Sequence, residues 1–219
     1  MAEIVQGILE DTVDDLLDII EREIFTEQEV KEIIKKRRTH EYKLNRVHPE
    51  KKHYLAAIQY ELSLEEQRLK RTKNTKPTSA DRTFVKRVIS LFQRCTRRFS
   101  EDVSVWKEFI NFTIRSNSER QLTQVISKAL QLHPRNEELW LISTYVQAYI
   151  KKDLDAARSL HIRSVTLNPK NKNLWKHYLK FESEHGNPET LQISLDHALE
   201  NLPQEKDFFM QEVKSKLNT

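Results

Sequence analysis

Trp106, Trp140, Trp175 and Phe209 recur at intervals of 34, 35 and 34 residues, and each follows a serine or proline six positions upstream: Ser100, Pro134, Pro169 and Pro203. A period in this range belongs to repeat arrays in which one unit is a helical pair. One such pair cannot bury its apolar face alone. Neighbouring pairs must stack to make a core, and the long surface they leave is what the chain offers to partners.

Glycine usage points the same way. Gly7 and Gly186 are the only two glycines in 219 residues. Tight phosphate loops and most hairpins need positive-φ residues, so an α/β enzyme is disfavoured and an all-helical chain expected. No run of 18 apolar residues occurs, so no membrane span is expected. The amino terminus is acidic rather than basic and then apolar, unlike an ordinary secretory signal. The single cysteine, Cys95, provides no disulfide framework and fits a reducing compartment. The formal charge of +4 conceals a strong asymmetry: residues 1–34 carry −9, residues 35–98 carry +13, and residues 99–219 balance. This pattern predicts a polyanion-facing middle and an acidic head with a different partner. The alternative is that head and middle neutralise each other within the fold.

Hydrophobic spacing predicts an acidic amphipathic helix over 3–24 and a basic one from Thr26 to about Arg46. The second is opened by a Thr26/Glu29 capping box. A third helix is expected over 50–72, a polar loop at 73–79, and a further helix over 81–98. Regular alternation follows, with A helices near 102–116, 136–151 and 171–185. The B helices fall near 118–132, 153–167 and 188–201, and a closing helix covers 205–217. Ser118, Asn136, Asp153 and Asn171 stand at N-cap positions, and Pro188 at a first turn. The expected organisation is an N-terminal helical head over 1–48 and a repeat array over 49–219. Its units lie near 50–99, 100–134, 135–169 and 170–203, with a partial unit over 204–219.

The A helices share a register. Trp106-x-x-Phe109-x-x-Phe112 has the spacing of Trp175-x-x-Tyr178-x-x-Phe181-Glu182. Trp140 keeps only the first aromatic, and Tyr54-x-x-Ala57-x-x-Tyr60-Glu61 is a degenerate first copy. Three-residue steps align these groups along one ridge of a helix. The pattern resembles the half-a-tetratricopeptide (HAT) repeat, W-x-x-Y-x-x-F/W-E with a proline after the B helix. That resemblance implies a right-handed α-solenoid of antiparallel helix pairs, of the kind that scaffolds RNA-processing assemblies. The opening, with Val5-Gln6, Leu9-Glu10, Ile24-Phe25-Thr26, Ile33-Ile34-Lys35-Lys36-Arg37 and Glu41-Tyr42, resembles the U3 small nucleolar RNA-associated protein 6 family. Membership implies a nucleolar subunit of the small-subunit processome, acting in maturation of the small-subunit ribosomal RNA. The implied partners are WD-repeat and other processome proteins, with pre-rRNA and U3 small nucleolar RNA close by. Members of that family generally continue through further repeats, so Phe208, Phe209 and Val213 are expected to need a following B helix to cover them.

Candidate sites follow from charge and register. The repeat core is expected at Trp106, Phe109, Phe112, Trp140, Trp175, Tyr178, Phe181 and Phe209. RNA or partner contact is a candidate role for Arg68, Lys70, Arg71, Lys73, Lys76, Arg82, Lys86 and Arg87, since cations that neutralise phosphates release condensed counterions. Stacking on bases also needs exposed aromatics, and those of this chain fall at core-like positions. Lys35, Lys36, Arg37 and Arg38 are a candidate nuclear-targeting run, or the solvated end of a helix where cations offset the dipole. The eight histidines make no HExxH pattern, and no P-loop, G-x-S-x-G or acid–base carboxylate pair occurs. No active site, cofactor, metal or small-molecule substrate is expected.

Overall fold

The computed structural model describes residues 2–72 and 80–217, and among them every regular element is helical. The chain divides into two compact units, Met1–Glu119 and Arg120–Thr219. The first holds α1 (Ala2–Glu10), α2 (Val13–Glu21), α3 (Glu27–Leu44), α4 (Lys51–Arg71), α5 (Thr83–Arg98, after a 3-10 turn at Ala80–Arg82) and α6 (Val103–Arg115). α7 (Glu119–Leu132) begins at the unit boundary. The second unit continues with α8 (Glu137–Tyr145, prolonged by a π-helical turn at Val146–Ile150), α9 (Leu154–Leu167), α10 (Lys172–His185), α11 (Pro188–Asn201) and α12 (Lys206–Leu217).

Local chemistry sets most of these boundaries. Asn136, Asp153, Asn171 and Asn187 each accept a hydrogen bond from the backbone N–H three residues on, satisfying a donor that the first helical turn leaves open. Thr26 and Glu29 close the expected capping box. The first expected helix is broken in two. Thr12 turns its hydroxyl onto the Leu9 carbonyl and the chain restarts at Val13, giving separate α1 and α2. At Gly186, a Cβ would stand 2.3 Å from Glu182 Oε2 and 2.8 Å from Thr190 Oγ1. Glycine therefore lets the end of α10 close on α11.

The six-residue interval that precedes each tryptophan has a physical cause. Each indole Nε1 donates to the carbonyl at that upstream position: Trp106 to Ser100 at 2.8 Å, Trp140 to Pro134 at 2.8 Å and Trp175 to Pro169 at 2.9 Å. A buried indole N–H needs an acceptor, and the loop ahead of each A helix provides one. All three rings are buried. Phe109 and Phe112 pack on Phe92, with ring centroids 5.0 and 5.8 Å away. Tyr178 and Phe181 pack on the His161 ring at 5.7 and 4.9 Å.

Phe209 and Val213 are fully buried against α10 and α11, so, contrary to the sequence expectation, neither needs a following B helix to cover it. Phe208 is half-buried beneath the Lys172 ammonium, 3.8 Å from its ring centroid.

In the first unit, Leu16, Ile19, Ile24, Phe25, Val30, Ile33, Leu64 and Phe84 form one apolar cluster joining α2, α3, α4 and α5. Helices on both sides of residue 48 thus share a core.

Candidate partner-binding surfaces

The basic run on α3 is not four outward charges. Lys35, Lys36 and Arg38 are exposed, but Arg37 is wholly buried. It donates from Nε and Nη2 to the two oxygens of Glu61, at 2.9 and 2.7 Å. Its guanidinium lies 5.3 Å from the Phe84 ring centroid, and its Nη1 has no hydrogen-bond acceptor among the described residues. Arg37 therefore leaves the candidate targeting set. A residue just past the middle of α3 turns inward because α4 presents a carboxylate there.

Glu61 also accepts from Arg87 Nε at 2.8 Å, and Arg87 reaches Glu41 at 3.0 Å. Arg94 closes on Glu41 at 2.9 Å. Three guanidiniums and two carboxylates from α3, α4 and α5 thus form one network, and all but Arg94 are buried. Breaking such a network strands a charge in the interior, at a cost of about 3–5 kcal/mol.

Further members of the candidate contact set turn inward as well. Arg68 is buried, grips Glu65 at 2.7 and 2.8 Å, and lies 3.3 Å from Asp81. The Glu65 carboxylate, and next Asp81, raise its pKa above the usual guanidinium value. Asp81 in turn receives Arg22 at 3.0 Å, which ties α2 to this point. Arg71 is partly exposed but engaged. It donates to Glu29 at 2.8 and 3.0 Å and to the Ile24 carbonyl, over the Phe25 ring. The Arg71 guanidinium, helped by the Thr26 N–H, holds the Glu29 carboxyl down at about 2.

The structure therefore corrects the basic patch: Arg68 and Arg87 serve the interior, Arg71 staples α3 to α4, and Lys70, Arg82 and Lys86 stay exposed. Lys73 and Lys76 lie outside the described residues. Between the acidic head and the basic middle, Glu29–Arg71 sets a head acid against a middle base and Arg22–Asp81 runs the other way, while Glu41 with Arg87 and Arg94 is neutralisation within the middle itself.

Sequence reasoning also missed two exposed aromatics. Tyr145 and Tyr149 are 57% and 50% exposed on α8 and its π-helical turn, with rings 5.1 Å apart. Tyr149 donates its hydroxyl to Glu184 at 2.9 Å. Their four-residue spacing on the face opposite Trp140 and Ser143 was the available signal.

In the first unit a cleft of about 1090 Å³ opens among α4, α5 and α6, with Phe92 and Phe112 at its base and Leu62, Leu69 and Val85 along it. Cys95 is buried, and loss of hydration pushes its thiol up to about 11, leaving it protonated and inert. Among the described residues no group of three His, Cys, Asp or Glu side chains is placed to hold a metal, and no helix is long and apolar enough to cross a membrane.

These features can be set beside known proteins. A family model described as U3 small nucleolar RNA-associated protein 6 matches residues 9–94, and one described as PRP39 N-terminal HAT repeat matches residues 53–215. The chain is 36% identical over 186 residues to U3 small nucleolar RNA-associated protein 6 of Schizosaccharomyces pombe, covering 83% of this chain and 38% of that protein. It is 30% identical over 190 residues to the Homo sapiens homolog, covering 84% of this chain and 32% of the relative. The Dictyostelium discoideum homolog is 29% identical over 177 residues, covering 78% of this chain and 29% of the relative. The chain thus spans about a third of the length of the relatives it matches. The head match and the repeat match overlap along one continuous chain, and the chain belongs to the U3 small nucleolar RNA-associated protein 6 family of HAT-repeat proteins.

Proposed function

We propose that this chain is a non-catalytic scaffold of the nucleolar small-subunit processome, acting with the U3 small nucleolar ribonucleoprotein in pre-rRNA processing and small-subunit assembly. The observation that carries this reading is the joint match. HAT repeats alone occur in several RNA-processing machines, whereas the 9–94 region resembles one family among them. The internal pairing of Arg68, Arg71 and Arg87 supports protein partners over RNA as the primary contact, because charges already paired release few counterions on meeting phosphate. On this reading its partners are WD-repeat and other processome proteins, with pre-rRNA and U3 RNA nearby.

The test is affinity purification of the tagged chain after nuclease treatment. Recovery of WD-repeat processome proteins is expected; loss of every partner on nuclease overturns the scaffold reading. The competing reading is direct RNA binding in splicing or 3′-end processing, favoured among the described candidates by the exposed Lys70, Arg82 and Lys86. It requires a steep salt dependence of RNA affinity that neutralising those three residues abolishes.

A further inference from the structure

Consecutive A helices meet differently in the two units. In the second, α8 packs on α10 and α10 on α12. In the first, α4 and α6 stand on either side of the 1090 Å³ cleft, so the place of an A-to-A contact is open. We propose that this cleft seats one amphipathic α-helix of a partner protein, apolar on the buried face and carboxylate-bearing along its edge. The proposal rests on the scaffold reading and assigns it a site.

Three features specify the occupant. The first is backbone chemistry. The walls are helices whose interior N–H and C=O groups are already bonded to one another. A segment lying on that apolar floor must satisfy its own backbone, which a helix does and an extended peptide does not. The second is size. A bare helix about 10 Å wide rising 1.5 Å per residue fills about 120 Å³ per residue, so the cleft holds roughly nine residues, or two and a half turns. Apolar anchors three and four residues apart would meet Leu62, Leu69 and Val85, the helix-in-groove mode of recognition.

The third is charge. Glu65 and Asp81 line the cleft but are held by Arg68, and Asp81 also by Arg22. Arg82 and Arg115 on the rim face a single further acid, Glu108, and the exposed Lys86 lies one turn beyond Arg82. The rim thus favours carboxylates. RNA fits poorly, because Phe92 and Phe112 are 2% and 9% exposed and offer no free ring face for a base.

A photo-reactive benzoylphenylalanine placed in the full chain at Ala56, Gln59 or Asn111, all exposed cleft positions, tests this in nuclease-treated nuclear extract. Crosslinks from all three positions are expected on one segment of one protein, with apolar residues at three- and four-residue steps and acids beside them. Ala56→Glu with Leu69→Glu should lower the yield at Gln59 at least tenfold while the helical circular dichroism signal stays unchanged. Crosslinks to RNA, to a second copy of the chain or to its own 73–79 segment, or none at all, overturn the cleft assignment. Processome proteins that co-purify equally with the wild type and the double variant sink the cleft and leave the scaffold standing. Loss of every partner from the nuclease-treated wild type sinks both.

Discussion

The α3–α4 pair of the first unit and the α9–α10 pair of the second solve one packing problem in two ways. In each, an arginine reaches a glutamate 24 residues later: Arg37 to Glu61 and Arg158 to Glu182. In each, a histidine ring packs on the aromatic just before that glutamate, His40 on Tyr60 and His161 on Phe181. All four residues, and Tyr54 with Trp175, share a single offset of 121 in the numbering. α3 therefore sits in the register of a B helix ahead of the A helix α4. The two sites differ in water. Arg37 and Glu61 are dry and recruit Arg87, Glu41 and Arg94, whereas Arg158 is 29% exposed and keeps Asp155 within reach. The same sequence spacing supports a buried network where α5 brings two more arginines and a half-wet pair where α11 brings only the Thr190 hydroxyl.

That contrast predicts its largest effect at Glu61. Glu61→Ala strands Arg37 in the interior, leaves Arg87 only Glu41, and should destabilise the chain by about 3–5 kcal/mol in urea unfolding. A loss below about 1 kcal/mol would mean that the network does not hold α3 on α4.

At the histidines the contrast is reversed, with the buried ring in the second unit, and pH reads it. Burial, with a smaller push from His177, holds His161 down at about 3, whereas the half-buried His40 is lowered by burial first and by Lys43 next. His161 stays neutral in the fold while the unfolded chain takes up a proton near pH 6.5. Its contribution is complete above pH 6.5 and is lost as pH falls toward 3, with a slope of at most about 1.4 kcal/mol per pH unit. His161→Phe should flatten the stability curve between pH 6.5 and 4.5, above the window in which Glu29 titrates; His40→Phe should change it less. Equal slopes in the two variants would show that the deeper burial of His161 has no bearing on stability.

How much of this was legible depends on what each residue reports. The tryptophan period, the caps and the helix order are local or periodic properties, and a single sequence displays them. The direction of a charge is not. Arg37 lies in a basic quartet and Arg68 and Arg87 in a basic stretch, so composition reads them as outward. Their inward course follows from carboxylates on other helices. The 24-residue arginine–glutamate interval was visible, yet it has meaning only once α3 is placed in the repeat register. Tyr145 and Tyr149 were grouped with core aromatics because residue type outweighed helical phase. The broken first helix depends on one threonine hydroxyl, below the resolution of hydrophobic periodicity.

Smaller effects sharpen the comparison at its second member. Trp175→Phe keeps a ring in the core but removes the indole donor to the Pro169 carbonyl, at an expected cost of about 1–2 kcal/mol. Phe209 occupies the same register position without a donor, so the loss should come from the stranded carbonyl and not from the ring. A Trp175→Phe variant as stable as the wild type would show that the six-residue interval marks a turn and nothing more.

The smallest effect is expected at Glu182. Its carboxylate is buried and accepts from Arg158 at 2.8 Å and from Thr190 at 3.2 Å. Glu182→Ala removes the buried charge together with its desolvation cost, and the Arg158 guanidinium is already partly in water beside Asp155 and over the Phe181 ring. The remaining loss should be about 1 kcal/mol, the scale of one exposed pair and one hydroxyl contact. It should fall further in Arg158→Ala/Glu182→Ala, where neither partner is left behind. The ratio of the Glu61 loss to the Glu182 loss then measures what the α5 arginines add. A ratio near one would show that both glutamates act through the helix pair alone, and that Arg87 and Arg94 contribute nothing to holding the first unit together.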